Sequence, residues 1–188
     1  MCEQEQQEPG QQLSESTRMH LYSAIANLLG DVEEHPRLTL LRINQTVVDI
    51  MVKYLDRALR NEFGGQPWEA MQALANLATA DENKALICEC CLGLAMGVLT
   101  QGSSGQQLEQ YTCKLLARLA LHQDNLPLLQ ARRVPLLALF QRLETHGQLE
   151  STRRVAAVGR FQLAGTTVSK EEHDMMKDNM QKGHIMLS

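Results

Sequence analysis

The chain has 188 residues, a formal net charge of −4 and an apolar fraction of 44%, with only 4% aromatic residues. This length allows one domain or a short array of repeats, and no apolar run reaches the ~20 residues that a membrane-spanning helix needs. The acidic balance argues against a general binder of polyanions, although it leaves room for a local basic patch.

The five cysteines are an odd number, and three of them crowd together as Cys88, Cys90 and Cys91. Such a pattern is a poor disulfide framework and indicates reduced cysteines in a cytoplasmic protein. A structural zinc site needs two spaced pairs of ligands, and no second Cys or His pair lies at that spacing. We therefore expect small packing residues here, with no metal and no cofactor.

The first part of the chain predicts a leader followed by three helices. Residues 1–14 lack apolar periodicity and are predicted to be disordered. A serine-capped helix should follow and stop at Gly30. A short helix over 38–41 and a longer one over about 46–59 complete this unit.

The second unit is predicted to begin with Pro67 in the first turn of a helix whose inward-facing residues include Trp68. Asp81 or Asn83 is expected to cap a short helix that ends in the cysteine cluster. Residues 92–99 are expected to form its packed partner, and a Gly–Ser loop then separates this unit from the third.

The third unit repeats the arrangement. Asp124 or Asn125 is expected to cap a short helix, and the Val–Pro step at 134–135 to start its partner. A last helix over about 150–163 has no following pair. Residues 164–188 are predicted to form a polar, mostly disordered tail.

One hexapeptide recurs through the chain. Residues 73–78 read Ala-Leu-Ala-Asn-Leu-Ala, and altered copies lie at 24–29, 115–120 and 157–162. When the copies are aligned, two positions (columns) always hold a large apolar residue and are expected in the core. A third column always holds a small residue, which lets helices approach closely. The columns are Ile25, Leu74, Leu116 and Val158; Leu28, Leu77, Leu119 and Phe161; and Ala26, Ala75, Ala117 and Gly159. A period of about forty residues predicts a helical solenoid.

These residues resemble the armadillo family. Residues 73–78 with Asn83 match the first part of its signature, and Val-Pro-Leu-Leu-Ala-Leu-Phe at 134–140 matches the second. The resemblance implies an all-α, right-handed α-solenoid of about three armadillo-like repeats with a partial fourth, over residues 15–163. HEAT-type repeats are the near alternative.

In armadillo proteins the Asn-bearing helix lines a concave groove that binds extended peptides. The resemblance therefore implies a non-catalytic protein-binding scaffold, and the column that changes from asparagine to arginine suggests an acidic partner segment. The predicted groove residues are Asn27, Gln72, Asn76, Lys114, Arg118 and Arg160. The residues four positions before Asn27, Asn76 and Arg118 are Ser23, Gln72 and Lys114. None of them is the tryptophan that binds lysine side chains in the nuclear-import members of the family, which argues against recognition of nuclear localisation signals. Alternatively, the asparagines satisfy only nearby backbone groups and the arginines form a solvated surface.

The sequence also bears on three alternatives: a piece of a larger protein, RNA binding and catalysis. The chain could be a fragment or isoform of a larger armadillo protein in ciliary, chaperone or signalling complexes, which leaves a nuclear or ciliary location open. RNA binding is a remote alternative, because the chain is acidic and the predicted groove contains no aromatic column. The sequence contains no nucleophile elbow, metalloprotease motif or phosphate loop, so neither catalysis nor a small-molecule substrate is expected.

Overall fold

The computed structural model describes residues 42–62, 64–102 and 105–165, together with residues 17, 20, 21 and 23–27 of an N-terminal helical segment. Within these residues the regular secondary structure is entirely helical, which confirms the predicted all-α class. The predicted leader, the 38–41 helix and residues 166–188 of the predicted tail lie outside the described residues.

Among the described residues, seven helices follow the N-terminal segment, and a 3-10 turn over Gln123–Asn125 precedes the fifth. They are α1 (Gln45–Leu59), α2 (Pro67–Leu77), α3 (Asp81–Gln101), α4 (Gln106–Ala120), α5 (Leu126–Ala131), α6 (Arg133–His146) and α7 (Glu150–Ala164).

Local chemistry explains several helix ends. Asn44 caps α1, because its side-chain oxygen accepts a hydrogen bond from the Val47 backbone N–H at 3.1 Å. Pro67 occupies the first turn of α2, as predicted, where its missing N–H costs nothing. Gly102 ends α3 with a φ of 68°, a left-handed conformation that favours glycine.

The predicted division of the second unit is wrong, because α3 is one continuous helix over Asp81–Gln101. No proline interrupts it, and its two internal glycines lower helix propensity without breaking the backbone hydrogen bonds. The predicted cap is also wrong: Ala80 precedes the helix without a side-chain cap, and Asn83 lies buried in the first turn.

In the third unit the predicted break is confirmed, since α5 ends at Ala131 and α6 begins at Arg133. Pro135 lacks the N–H that would continue the hydrogen-bond ladder through this point. Asn125 precedes α5, but its side chain makes no capping hydrogen bond. The predicted helix-capping roles of Asp124 and Asn125 are therefore not found.

The helices pack in two rows. Contacts link α2 to α4 and α4 to α7. The three copies of the hexapeptide at 73–78, 115–120 and 157–162 therefore lie side by side. A second set of contacts links α1 to α3 and α3 to α6, and the core lies between the rows.

Among the described residues, the apolar columns are fully buried only in the middle of the array, Val158 is half-buried, and Leu28 lies outside the described residues. Leu74, Leu77 and Leu119 are buried, as predicted, but Ile25 is 36% exposed and Phe161 is 55% exposed. For these two residues the predicted core position is wrong. Phe161 lies on α7, the last described helix, so no further described helix covers its outer side.

The small column is buried in all four copies, as predicted. Gly159 shows why size matters there: a Cβ built on it would lie 2.5 Å from the Phe140 ring of α6. The close packing of α6 on α7 therefore depends on the absence of a side chain at this position.

Candidate functional site

The predicted groove residue Asn76 is buried rather than open to solvent. Its Nδ2 donates to the backbone oxygen of Ala26 at 3.3 Å and to Oδ1 of Asn27 at 3.4 Å. Asn27 itself is half-buried. The two asparagines therefore meet across the N-terminal segment and α2, and the amide of Asn76 satisfies a backbone carbonyl of the preceding copy.

Arg118 makes the equivalent contact one copy later. Its Nη1 donates to the backbone oxygen of Ala75, and Ala75 occupies the same small column as Ala26. In both cases a polar side chain reaches back to the small residue of the preceding copy. The alternative that the asparagines satisfy nearby backbone groups therefore describes Asn76, whereas the backbone contact of Arg118 was not predicted.

Arg160 does not continue the pattern. Its Nε donates to Oε2 of Glu144 at 2.6 Å and its Nη2 to Oε1 at 3.2 Å, which is a two-pronged ion pair with α6. The pair is exposed, so its contribution to stability is small. Arg160 thus keeps its guanidinium at the surface, whereas Arg118 turns its own toward the backbone of α2.

Gln72 and Lys114 are half-exposed and lie one helical turn before Asn76 and Arg118. Gln72, Lys114 and Arg118 are partly exposed and Arg160 is exposed, and these four residues of the first row are called here the α2–α4–α7 face, whereas Asn76 is buried on the same row. The structure thus places these predicted residues along one row of helices, and Asn27 joins the row through its contact with Asn76.

The sequence reasoning missed an aromatic pair beside this face. Trp68 of α2 and Tyr111 of α4 stack with ring centroids 6.4 Å apart and an interplanar angle of 23°. Both pack partly against the core and remain partly exposed, so the prediction that Trp68 faces inward is only partly correct. Helical spacing could have revealed the pair, because Trp68 lies two turns before Asn76 and Tyr111 two turns before Arg118.

Charge is unevenly distributed along the described chain. Residues 105–165 contain eight Lys or Arg and four Asp or Glu, whereas residues 42–102 contain five and seven. The part that contributes α4 and α7 is therefore basic within an acidic chain.

A second polar contact also recurs with the hexapeptide. Nδ2 of Asn83 donates to the backbone oxygen of Leu77 at 2.9 Å, and Nδ2 of Asn125 donates to that of Leu119 at 3.0 Å. Asn83 in addition accepts from the Ile43 backbone N–H at 3.0 Å. Each asparagine therefore stabilises the turn that follows a helix carrying the hexapeptide, and Asn83 also connects that turn to the segment before α1.

The cysteine cluster is mainly packed inside the protein. Burial raises the pKa of Cys88 to about 11 and, with the neighbouring thiols, that of Cys91 to about 12. Such thiols remain protonated at neutral pH and are poor nucleophiles and metal ligands. No group of three or more His, Cys, Asp or Glu in the described residues could hold a metal ion.

The buried thiols give an alkaline pH dependence. We expect the free energy of unfolding to fall as the pH rises above about 9, because Cys88 and Cys91 ionise more readily in the unfolded chain, near 9.0, than in the folded protein. Below that pH both states keep the thiols protonated and this stability is fully present. Urea unfolding under reducing conditions between about pH 8 and 10 measures the slope.

Replacing both thiols by alanine should reduce this slope, although the buried Cys113, whose pKa is also raised, still contributes to it. Leu92→Ala, which removes a buried neighbour in α3, should lower stability without changing the slope. An identical slope in the Cys88→Ala, Cys91→Ala variant would assign the pH dependence to other groups.

Among the described residues, α3 is long and apolar enough to cross a membrane by length and composition. This is weak support for a membrane span, because 56% of its most apolar stretch is buried inside the protein and core helices meet the same test.

Comparisons of the chain with protein-family models, with curated proteins and with solved structures found no match. The fold and the site are therefore argued from this chain alone.

Proposed function

We propose that the chain is a non-catalytic protein-binding module, built as an armadillo-like α-solenoid, that binds an extended acidic segment of another protein. The observation that carries this proposal is the α2–α4–α7 face, where the polar side chains change from an amide on α2 to the cations of Lys114, Arg118 and Arg160. An acidic segment crossing the row would meet these cations in succession.

Recurrent contacts support the solenoid. Arg118 repeats on α4 the backbone contact that Asn76 makes on α2, and Asn125 repeats the contact of Asn83 at an interval of 42 residues. Equal contacts at the period of the sequence repeat are expected when successive units stack in the same way. The two rows of helices agree with this arrangement.

The hydrogen bonds of Asn76 and Arg118 limit what these two residues do in binding. Both side chains already donate to backbone carbonyls, so their first role is to hold neighbouring copies together. We propose that Lys114 and Arg160, which are half-exposed and exposed, bind the acidic segment, Arg160 by giving up its exposed ion pair with Glu144. The predicted cytoplasmic location rests on the cysteines and stays a prediction.

The test uses a labelled peptide of alternating glutamate and serine, about 12 residues long, which when extended spans three helices spaced about 10 Å apart. We expect binding at about 50 mM salt that weakens at about 200 mM, because the charges are screened. The double substitution Lys114→Gln, Arg160→Gln should lower the affinity about tenfold, measured by fluorescence anisotropy.

The matched control removes the same charge elsewhere. Arg57 of α1 and Arg154 of α7 are also exposed and ion-paired, and Arg154 lies about 120° around the helix from Arg160. Replacing both by glutamine should change the affinity less than twofold. Equal losses in the two variants would indicate general charge attraction, and an absence of binding to the wild type would refute the proposed function.

A further inference from the structure

We propose that Trp68 and Tyr111 form an anchor for an apolar side chain of the bound segment, aliphatic or proline, while its acidic residues lie toward Lys114. This inference rests on the proposed function and narrows its partner. The segment would carry one apolar residue followed, within about three positions, by acidic residues, because Lys114 lies one helical turn beyond Tyr111 on α4.

The two rings have the properties of a binding anchor. Each packs partly against the core, which holds the ring in place, and each leaves part of its surface exposed. Trp68 has no hydrogen-bond partner among the described residues, so its indole N–H can donate to a ligand carbonyl. Rigid aromatic side chains that combine apolar area with one polar group are enriched among the residues that dominate binding energy.

The charged residues near the proposed anchor determine where the apolar and acidic parts of the ligand would lie. Glu69 follows Trp68 on α2, and its carboxylate lies near enough to Tyr54 to help raise the pKa of that phenol, after the larger effect of burial. The residue that follows Trp68 is therefore an acid that lies near Tyr54 of α1, whereas the cations Lys114 and Arg160 lie on α4 beyond Tyr111 and on α7. A segment that is neutral at the anchor and acidic beyond it matches this arrangement.

The same gradient favours a peptide over a single-stranded nucleic acid. Stacked aromatic rings on a basic surface can also hold bases, but a nucleic acid carries a phosphate at every step. One of these phosphates would lie beside the carboxylate of Glu69. A peptide can place its charges only where the protein is basic.

The experiment uses the single tryptophan of the chain as a reporter of the proposed anchor. The probes are the glutamate–serine peptide, the same peptide with one leucine before its acidic residues, and an oligouridylate of similar length. We expect the leucine peptide to shift the emission of Trp68, to reduce its quenching by acrylamide about twofold, and to bind about tenfold more tightly than the leucine-free peptide.

Substitutions at Tyr111 keep the reporter in place. Tyr111→Phe retains the ring and should preserve the advantage of the leucine peptide, whereas Tyr111→Ser should abolish it and leave binding of the leucine-free peptide within about twofold. Circular dichroism melting of both variants checks that the fold is intact. Should Tyr111→Ser unfold the protein, the quenching of Trp68 in the wild type decides the matter.

The outcomes separate the two proposals. If both peptides bind equally, with Trp68 still open to acrylamide and with binding lost in the Lys114→Gln, Arg160→Gln variant, the proposed function stands and the anchor is refuted. If neither peptide binds, both are refuted. Quenching of Trp68 by the oligouridylate alone would assign the surface to nucleic acid and would also refute both.

Discussion

Replacing Gly159 with alanine is expected to lower the free energy of unfolding by about 1–3 kcal/mol, the usual cost of overpacking a core. The added Cβ would lie 2.5 Å from Cε1 and 2.6 Å from Cζ of Phe140, closer than carbon atoms can approach. The Phe140 ring is only 1% exposed and cannot swing into solvent, so α6 and α7 must move apart. Urea unfolding followed by circular dichroism measures the change.

The sign of this result makes it informative, because glycine-to-alanine changes inside a helix normally stabilise by about 1 kcal/mol. Gly97 of α3 is the matched control, since a Cβ there meets nothing within 4 Å, and Gly97→Ala should stabilise the protein. Adding Phe140→Leu to Gly159→Ala should recover part of the loss through a favourable coupling energy. A stabilising effect of Gly159→Ala would show that the two helices are not packed this closely.

The substitution Asn83→Ala is expected to cost about 1–3 kcal/mol, because it leaves the backbone N–H of Ile43 without this partner and removes one of the two hydrogen bonds that the Leu77 oxygen accepts, the other coming from the Ala80 N–H. Asn83 is 1% exposed, accepts from the N–H of Ile43 and donates to the oxygen of Leu77. It therefore joins three segments that are distant in sequence: the stretch before α1, the turn after α2 and the first turn of α3. Urea or thermal unfolding gives the loss.

Asn125 provides the comparison for Asn83 within the same fold. Its Nδ2 donates to the oxygens of Leu119 and Lys84, but its Oδ1 is buried without a hydrogen-bond partner in the described part of the chain. Asn125→Ala therefore removes an unpaired acceptor along with two bonds and should cost less than Asn83→Ala. Equal costs would mean that the bond to Ile43 adds nothing to stability.

Helix boundaries could be predicted from the sequence wherever local chemistry sets them. Pro67 starts α2 because its ring favours a first-turn position, and Pro135 explains the break between α5 and α6 because it lacks an N–H. Gly147 follows the last residue of α6, where glycine is a common helix breaker. These effects act over a few residues and do not depend on what packs nearby.

Side-chain partners could not be predicted, because they depend on distant segments. Asn83 was predicted to cap a helix, yet the segment before α1 offers it a half-buried N–H forty residues away. Asn76 and Arg118 were predicted to face a groove, and their donors instead find carbonyls of the preceding copy. A polar group that can reach an unpaired buried carbonyl satisfies it, since leaving it unpaired costs free energy.

The sequence alone determined that this protein is helical and repeats at about forty residues, because apolar periodicity and breakers act locally. It also predicted the small column, whose size is tied to helix packing in every copy. Only the tertiary structure decided that Ile25 and Phe161 are exposed and that Trp68 meets Tyr111. Exposure and stacking depend on which neighbour lies across the interface, and that neighbour comes from another part of the chain.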